Sequence, residues 1–461
     1  MNPSANDTIA AISTPPGEGG IGIVRLSGPR AFPIAFQLFR PPLNPADVES
    51  HRIKIGKAVQ AGSGEVVDEV VLLPMRGPHS YTAEDTVEFH CHGGRMPLSL
   101  LLRETLALGA RLAEPGEFTK RAFLNGRIDL TQAEAVISVI QAASEGGLKA
   151  AVKQLAGGLQ EVVAEFRQDL IDLLARVEAD IDFPEEQIET ISARETRERT
   201  KKALDKIEGL RQTYRQGRIL REGVETAIVG RPNVGKSSLL NALLNFDRAI
   251  VGPWPGTTRD VIEEAVEVRG IALRIMDTAG IRGHQDEIEA EGIRRTYKVV
   301  EGADLILAVF DGSRGLSPED METVEAVRGK TVIPVVNKSD LEGKLEMERL
   351  RGLFPGVSPV LVSAQSKKGL DQLEEAIYQK IWNSGMDLTE NVFITRMRHE
   401  EKLRKAGEAL EGVLRSLENA LPPEFVAGDL HSALDWLGEI TGETHTEEVL
   451  DKIFSEFCVG K

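Results

Sequence analysis

Residues 230–237 have the types and spacing that bind phosphate. Their sequence, Gly-Arg-Pro-Asn-Val-Gly-Lys-Ser, fits the pattern G-x-x-x-x-G-K-[ST]. The apolar run 224–229 before it predicts a strand, and residues 238–244 after it predict a helix. In that setting the backbone N–H groups of the loop and the amino end of the helix bind phosphate oxygens. Lys236 would reach the β- and γ-phosphates, and the Ser237 hydroxyl would ligate Mg²⁺.

Three further stretches follow in the order that guanine-nucleotide chemistry requires. Asp277-Thr278-Ala279-Gly280 follows a predicted strand at 273–276, where a carboxylate can hold Mg²⁺ through water and the Gly280 amide can sense the γ-phosphate. Asn337-Lys338-Ser339-Asp340 closes the predicted strand 331–336. Asp340 there would accept hydrogen bonds from guanine N1–H and the exocyclic amine, a donor pair that adenine lacks. Ser363-Ala364, after the strand 360–362, would supply a backbone N–H to guanine O6. Each stretch alone could be an ordinary loop, but their order predicts a site for GTP and GDP.

The remaining segments predict the elements that surround this site. Residues 1–125 read as a mixed α/β domain, with strands at 8–12, 21–26, 66–73 and 86–91 and a helix at 97–108. The nucleotide-binding domain occupies residues 221–382. Residues 126–220 and 383–461 are helical, and each block has an apolar face with too few elements to bury it alone. We therefore expect an α/β plus α protein in which a P-loop GTPase domain is inserted in one helical domain.

Composition and charge limit the class of protein. The chain has 461 residues, of which 41% are hydrophobic and 28% charged, as in soluble proteins of several domains. A formal net charge of −17 argues against coating nucleic acid by bulk electrostatics. Two distant cysteines, Cys91 and Cys458, predict no disulfide framework and a reducing environment. With neither an apolar run of ~20 residues nor signal-peptide features at the start, we expect a cytoplasmic protein that does not enter a membrane.

At this point the residues support a resemblance. Residues 230–238, Gly256-Thr257-Thr258-Arg259-Asp260, Asp277–Gly280, the run 115–126 and the terminal Cys458-Val459-Gly460-Lys461 resemble the MnmE (TrmE) family of tRNA modification GTPases over the whole chain. The Cys-x-Gly-Lys terminus is the most specific single signature. The resemblance implies a GTP-binding set made of Asn233, Val234, Gly235, Lys236, Ser237, Ser238, Gly252, Thr257, Thr258, Asp277, Gly280, Asn337, Lys338, Asp340, Ser363 and Ala364.

The resemblance also implies a particular route to hydrolysis. The family uses K⁺ in place of an arginine finger, with Asn233, Gly252, Trp254 and Thr257 at the matching K⁺ positions, and Ser237 and Thr258 at the Mg²⁺ positions. Ile281 stands where Ras-like proteins have a water-orienting Gln, and an aliphatic side chain cannot polarise water. Glu289 matches the family's candidate for that role. Lys236 matches the catalytic lysine that binds the phosphates. Glu289 read by itself could be one acid of the surface run 286–289.

The amino-terminal domain resembles a tetrahydrofolate-binding domain that also makes the family's dimer contact. Arg25, Glu88, Arg127 and Lys461 would face 5-formyl-tetrahydrofolate or a related folate. Arg25 considered without the resemblance would be a surface residue at a strand end. Cys458 would act as a nucleophile or acid–base group, or else belong to a frayed terminus. Because Phe454 and Phe457 would anchor the last helix in the helical core, we expect residues 458–461 to form a tail that adds little packing.

The family assignment implies the partners and the reaction. A homodimer would work with the flavoprotein GidA (MnmG), which supplies FAD, to add a carboxymethylaminomethyl-type group at C5 of the wobble uridine of tRNA. Two alternatives remain open: a ribosome-assembly GTPase switch, and a folate-dependent aminomethyltransferase with a regulatory G domain.

Two sequence features have both a functional and a structural interpretation. His90-Cys91-His92 could be a metal cluster, but alternate residues of a strand point to opposite faces, which favours a structural strand. The basic stretches 194–221 and 396–405 could contact tRNA or could be solvated helix faces, since acids are interleaved.

Overall fold

The computed structural model describes residues 7–44, 47–182, 191–246, 264–276, 299–382 and 392–461. It divides into two compact units. The first consists of Met1–Ile137 with Gly438–Lys461, and the second of Ser138–Leu437. The boundaries of the four domains expected from the sequence remain a prediction.

Strands and helices are numbered here in chain order within the described residues. The strands are β1 Ile9–Ile12, β2 Gly19–Ser27, β3 Phe39–Arg40, β4 Lys54–Val59, β5 Val66–Met75, β6 Thr86–Gly93, β7 Arg111–Leu112, β8 Val224–Val229, β9 Glu264–Val268, β10 Ile271–Ile275, β11 Leu305–Asp311, β12 Val332–Asn337 and β13 Val360–Leu361. The helices are α1 Ala31–Leu38, α2 Arg95–Ala107, α3 Glu117–Leu124, α4 Leu130–Gln141, α5 Glu145–Leu155, α6 Gly158–Asp182, α7 Ala193–Gln212, α8 Tyr214–Glu222, α9 Lys236–Phe246, α10 Pro318–Ala326, α11 Met347–Leu353, α12 Leu370–Ile381, α13 Met397–Glu418, α14 Pro423–Thr441 and α15 Glu447–Ser455.

The first unit is built on one mixed sheet in the order β3-β4-β5-β6-β2-β1-β7. Alternation along β2 and β6 sends Val24, Leu26 and Phe89 into a core with α1 and α2. The residues between them point to the other face of the sheet. There β2 and β6 run antiparallel with Arg25 directly opposite Glu88. The strand register alone therefore brings together two residues that are 63 positions apart in the chain.

The last helix and the chain end belong to this first unit. Leu450, Ile453, Phe454 and Phe457 of the α15 region are buried in a cluster with α4 residues. After α15 the chain forms a short antiparallel bridge between Val459 and Pro115. The aromatic anchoring of the last helix is thus confirmed, within the unit that also holds the amino-terminal sheet.

The second unit contains the predicted nucleotide-binding sheet. Its order is β13-β12-β11-β8-β10-β9, with β8, β10, β11, β12 and β13 parallel and β9 antiparallel to β10. The central strand β11 is buried along its whole length, as expected when helices cover both faces of a parallel sheet. Since the strands are parallel, the loops at their carboxyl ends lie along one edge.

Helices on both sides of this domain in sequence pack together, as the sequence predicted. α7 lies against α13, and the contact includes a 2.8 Å ion pair between Arg211 and Glu400. Ser192 caps α7 by accepting a hydrogen bond from the Glu195 N–H, which defines the start of this charged helix. None of the helices in the described ranges has the length and apolar character needed to cross a bilayer.

Candidate functional site

The loop between β8 and α9 has a backbone that suits close phosphate approach. Gly230 and Gly235 have φ values of +149° and +98°, which residues with a side chain rarely adopt. A Cβ on Gly230 would also collide with the Val309 carbonyl, and one on Gly235 with the Asn337 amide. Asn233 has a φ of +63°, a conformation that asparagine tolerates better than most residues. The predicted strand and helix around the loop are confirmed.

Lys236 lies inside the curl of this loop. Its ammonium donates hydrogen bonds to the Gly230 carbonyl at 2.6 Å and the Arg231 carbonyl at 3.0 Å. Burial lowers the pKa of Lys236 below its ordinary value. A half-desolvated cation held by backbone oxygens is a strong partner for phosphate, because the low local dielectric strengthens the attraction. Ser237 and Ser238 follow in the first turn of α9.

Asn337 joins the phosphate loop to the loop after β13. Its side chain is 2% exposed. The amide donates to the Val234 carbonyl at 2.9 Å, and the amide oxygen accepts from the Ala364 N–H at 3.1 Å. Asn337, at the edge of the sheet where β12 ends, thus holds both the phosphate loop and the Ser363-Ala364 stretch. Such buried polar links are costly to break.

Lys338 makes a second link, through a residue that the sequence analysis missed. Its ammonium donates to the Asn233 carbonyl at 2.9 Å and to Asp311 at 2.7 Å. Asp311, the last residue of β11, is 3% exposed. Burial raises the pKa of Asp311, but hydrogen bonds from Lys338 and Ser313 outweigh it, and the net pKa lies below the ordinary value. A carboxylate that ends an otherwise apolar strand was the signal that could have identified it.

The remaining residues predicted to bind guanine lie at the same edge. Ser363 is fully buried and its hydroxyl accepts from the Ser366 N–H at 3.1 Å. Ser339, between Lys338 and Asp340, donates its backbone N–H to the Val362 carbonyl at 3.1 Å. Asp340 itself is exposed, as a side chain must be to meet a nucleotide base. The candidates that lie outside the described residues are Gly252, Trp254, Thr257, Thr258, Asp277, Gly280, Ile281 and Glu289.

The amino-terminal candidates form a second, separate cluster in the first unit. The Arg25 Nε donates to Glu88 Oε1 at 2.7 Å, and both side chains are nearly buried at 12% and 11% exposure. Glu88 Oε2 lies 3.0 Å from His90 Nε2. Burial raises the pKa of Glu88, while the His90 hydrogen bond and the Arg25 charge outweigh it and lower the net pKa. The alternative that Arg25 is a surface residue is therefore wrong.

Aromatic rings and the chain end complete this cluster. The guanidinium carbons of Arg25 and Arg127 lie 5.3 Å and 5.2 Å from the centroid of the Tyr81 ring. Arg25 also reaches the Gly460 carbonyl at 3.4 Å. Burial and then the charge of Arg25 lower the pKa of Lys461, against the opposing effect of Glu88. The four predicted residues Arg25, Glu88, Arg127 and Lys461 thus share one neighbourhood.

The terminal tail is packed, which corrects the expectation that it adds little packing. Lys461 accepts a hydrogen bond on its main-chain oxygen from the Phe118 N–H at 3.2 Å, and Cys458 accepts one from the Gly116 N–H at 3.4 Å. Gly460 is buried with a φ of +97°, and a Cβ there would collide with the Ile12 carbonyl. The Cys458 thiol is exposed. Backbone pairing with the α3 entry, invisible in the sequence, holds the tail.

The strand interpretation of residues 90–92 agrees with the geometry. Cys91 lies in the core, and burial, with the nearby Asp68 charge, raises the pKa of its thiol to about 12. His92 instead pairs with Asp68 at 2.8 Å. Within the described residues no group of three or more His, Cys, Asp or Glu side chains could hold a metal ion.

Acids accompany many cations of the two basic helical stretches. Arg194 pairs with Glu198 at 2.9 Å, and Lys405 with Glu401 at 3.1 Å. Lys405 and Lys402 also lie 4.4 Å and 4.6 Å from the centroid of the Trp436 ring. Contact of these stretches with tRNA stays a prediction.

Comparison with known proteins gives the same family along the chain. A family model described as GTP-binding protein TrmE N-terminus matches residues 8–127, and one described as MnmE helical domain matches residues 130–458. The chain is 47% identical over 466 residues to a tRNA modification GTPase MnmE from Moorella thermoacetica, covering 99% of this chain and 100% of the relative. It is 46% identical over 462 residues to the protein of the same name from Ligilactobacillus salivarius, covering 100% and 99%.

Among solved structures, the G domain of the T. maritima FeoB iron transporter is 27% identical. It covers 34% of this chain and 98% of its own, with a TM-score of 0.26, too low to bear on the fold. The sequence matches, not the structural one, show the family. With two family models spanning nearly all of its residues and relatives above 45% identity at full length, the chain belongs to the MnmE (TrmE) family of tRNA modification GTPases.

Proposed function

We propose that the chain is a potassium-stimulated GTPase that acts in modification of the tRNA wobble uridine. The observation that carries the proposal is the pair of Asn337 hydrogen bonds to Val234 and Ala364. They hold the phosphate loop and the base-recognition loop together, so one ligand with both a triphosphate and a guanine can span them.

The phosphate end of the site would use residues of the loop and of α9. Lys236 would exchange its carbonyl partners Gly230 and Arg231 for β- and γ-phosphate oxygens. Ser237, in the first turn of α9, would supply a hydroxyl ligand for Mg²⁺ together with Thr258. Mg²⁺ held by these residues would neutralise phosphate charge. Asp277 and Gly280 would support the metal and the γ-phosphate.

The base end of the site would discriminate guanine. Asp340 would accept from N1–H and the exocyclic amine, and Ser363-Ala364 would face O6, with the Ala364 N–H, which donates to Asn337 in this structure, shared with that oxygen. An adenine leaves the Asp340 carboxylate without these donors, and such sites can discriminate by ~10⁴-fold or more. Lys338, held by Asp311 and the Asn233 carbonyl, would keep the guanine loop in register with the phosphate loop.

Hydrolysis would use K⁺ rather than an arginine. Asn233 is exposed on the phosphate loop, and an amide oxygen is a suitable hard ligand for that ion. Gly252, Trp254 and Thr257 would complete the set. K⁺ supplies positive charge near the β- and γ-oxygens, where charge develops during cleavage. Glu289 would orient the attacking water.

The cluster in the first unit would bind a 5-formyl-tetrahydrofolate-type one-carbon donor. Arg25, Arg127 and Lys461 offer cations for carboxylates, Glu88 offers an acceptor for ring N–H groups, and Tyr81 offers an aromatic face. A folate has groups that complement these side chains, namely a flat ring with N–H groups and terminal carboxylates. Cys458, exposed beside this cluster, would act as a nucleophile or acid–base group.

The complete reaction would need partners. We propose a cytoplasmic homodimer that works with the flavoprotein GidA (MnmG), whose FAD supplies redox chemistry, to add a carboxymethylaminomethyl-type group at C5 of the wobble uridine. Domains 1–125, 126–220, 221–382 and 383–461 would carry folate binding and dimerisation, the helical domain, GTP binding and the rest of the helical domain.

Two measurements test this function. The GTPase rate of the purified protein should be markedly higher in K⁺ than in Na⁺ at equal ionic strength, and equal rates would contradict the potassium mechanism. Mass spectrometry of tRNA from a deletion strain should show unmodified wobble uridine. The wild-type gene should restore the modification. A Glu289→Ala gene, with kcat lowered by ~10²-fold, should not. Normal modified uridine in the deletion strain would contradict the tRNA function.

A further inference from the structure

A cleft of about 310 Å³ lies in the second unit. It lies at the edge of the sheet where the parallel strands begin, whereas the phosphate loop lies at the edge where they end. It is lined by residues at or just before the amino ends of three parallel strands: Val224 for β8, Asp304 for β11 and Thr331 for β12. The phosphate loop follows the other end of β8, a strand of 6 residues. At about 3.3 Å per residue the two sites are roughly 20 Å apart. The cleft is therefore distinct from the nucleotide site.

The lining of this cleft is cationic in an acidic protein. Arg215 and Arg218 come from α8, Lys330 precedes β12, and Lys380 lies near the end of α12, while Asp304 is the one carboxylate among the lining residues. The local charge of the lining is three positive units, although the whole chain carries −17. Positive side chains concentrated on one concave surface focus the field and attract anions.

Three of the four cations of this cleft form no ion pair with an acid among the described residues, unlike many cations of α7 and α13. Arg218 forms an ion pair with Asp304 at 3.4 Å, and solvent screens it because both side chains are 44% exposed. Lys330 donates to the main-chain carbonyl of Glu301 at 3.2 Å, which is a neutral acceptor. Arg215 and Lys380 are both exposed, and neither forms an ion pair with an acid among the described residues. Two guanidinium groups and two ammonium groups thus face one cavity.

We propose that this cleft binds a phosphate-bearing anion. Guanidinium groups pair with phosphate through two parallel hydrogen bonds, and lysines add point charge. Because α8 leads directly into β8, the bound anion would join the helix that enters the GTPase domain to the amino ends of the central strands. The same chemistry could come from a small polyphosphate or from the backbone phosphates of RNA, and the RNA case rests on the proposed function.

The small-anion arm uses pyrophosphate on full-length protein already saturated with GDP and Mg²⁺, so that the phosphate loop is filled. Calorimetry should detect about one further pyrophosphate per chain. Arg215→Gln combined with Lys380→Gln should weaken it by at least about tenfold, since two charge-assisted contacts are lost. The matched control is Arg349→Gln with Arg351→Gln on α11, which removes the same charge from exposed side chains of the same domain and should leave affinity within about twofold.

The RNA arm measures tRNA binding against salt concentration for the same proteins. The Arg215→Gln/Lys380→Gln protein should show a salt slope lower by about two, because each phosphate contact contributes about 0.9. An unchanged GDP affinity and thermal midpoint would show that both variants fold normally.

The outcomes separate the two sources of phosphate. A change confined to pyrophosphate supports a small polyphosphate, and a change confined to tRNA supports RNA. If wild type binds tRNA and neither measurement changes in the cleft variant, the inference is wrong. Wild-type protein that binds no tRNA contradicts the proposed function instead, and the pyrophosphate result alone then decides this inference.

Discussion

The side chain of Asn337 offers the sharpest test of how the nucleotide site is held together. Asn337→Ala removes the donor to the Val234 carbonyl and the acceptor for the Ala364 N–H. The side chain that makes both bonds is only 2% exposed, so water does not readily replace them. An unsatisfied buried group costs about 1–3 kcal/mol. Two such groups, allowing for partial relaxation, give about 2–4 kcal/mol against the joined arrangement of the two loops.

Two assays measure the consequences of this free-energy cost. Hydrogen–deuterium exchange should show faster exchange in peptides from β8, α9 and β12, because local opening becomes easier. GTP affinity should fall by about 10- to 100-fold, since 1.4 kcal/mol corresponds to a factor of ten and only part of the cost acts on binding. Asn337→Asp keeps the acceptor for Ala364 but places an oxygen against the Val234 carbonyl, so we expect no rescue.

The control for this experiment is Asn419→Ala. Asn419 is exposed after α13 and its amide donates to the Arg415 carbonyl at 2.9 Å, so its loss should cost less than about 0.5 kcal/mol. If Asn337→Ala left both exchange and GTP affinity within twofold of wild type, the two buried hydrogen bonds would not hold the site, and the argument from their geometry would be refuted.

The other predictions concern the base site, the chain end and acid stability. Asp340→Asn should shift preference from GTP towards xanthosine triphosphate, and unchanged GTP affinity would remove Asp340 from the base site. Gly460→Ala should release the tail and lower the thermal midpoint of the protein, because a positive φ and the Ile12 carbonyl both oppose a Cβ; an unchanged midpoint would contradict the packed tail. Burial raises the pKa of Glu117, but Arg111 and the Glu114 N–H outweigh it and lower the net pKa. This carboxylate therefore contributes stability above its unfolded pKa near 4.5, and the contribution is lost as pH falls through its lower folded value. Circular dichroism from pH 6 to 3 should show a shallower acid loss for Glu117→Gln, and identical curves would contradict the assignment.

Much of the nucleotide domain could be predicted from sequence because its signals are local. The phosphate loop needs glycines at set spacing, and its flanking strand is a short apolar run, so β8 has the predicted bounds. Helix signals are equally local: Ser192 caps α7 by accepting from the Glu195 N–H, and apolar residues at helical spacing from Phe166 to Val177 are buried along α6. Residues that act through short-range backbone geometry can be identified from their neighbours alone.

Other features depended on which strands and segments become neighbours. The sequence by itself determined the GTPase domain, its insertion between helical segments, and the residue types at each candidate site. Only the tertiary structure placed Asp311 beside Lys338, because strands β11 and β12 must pair in parallel with Asp311 opposite Asn337. In the same way it set Arg25 against Glu88 through strand register, and it held the tail by backbone hydrogen bonds to residues more than 300 positions earlier. Backbone pairing of this kind has no side-chain signature, so it is decided only when the chain has folded.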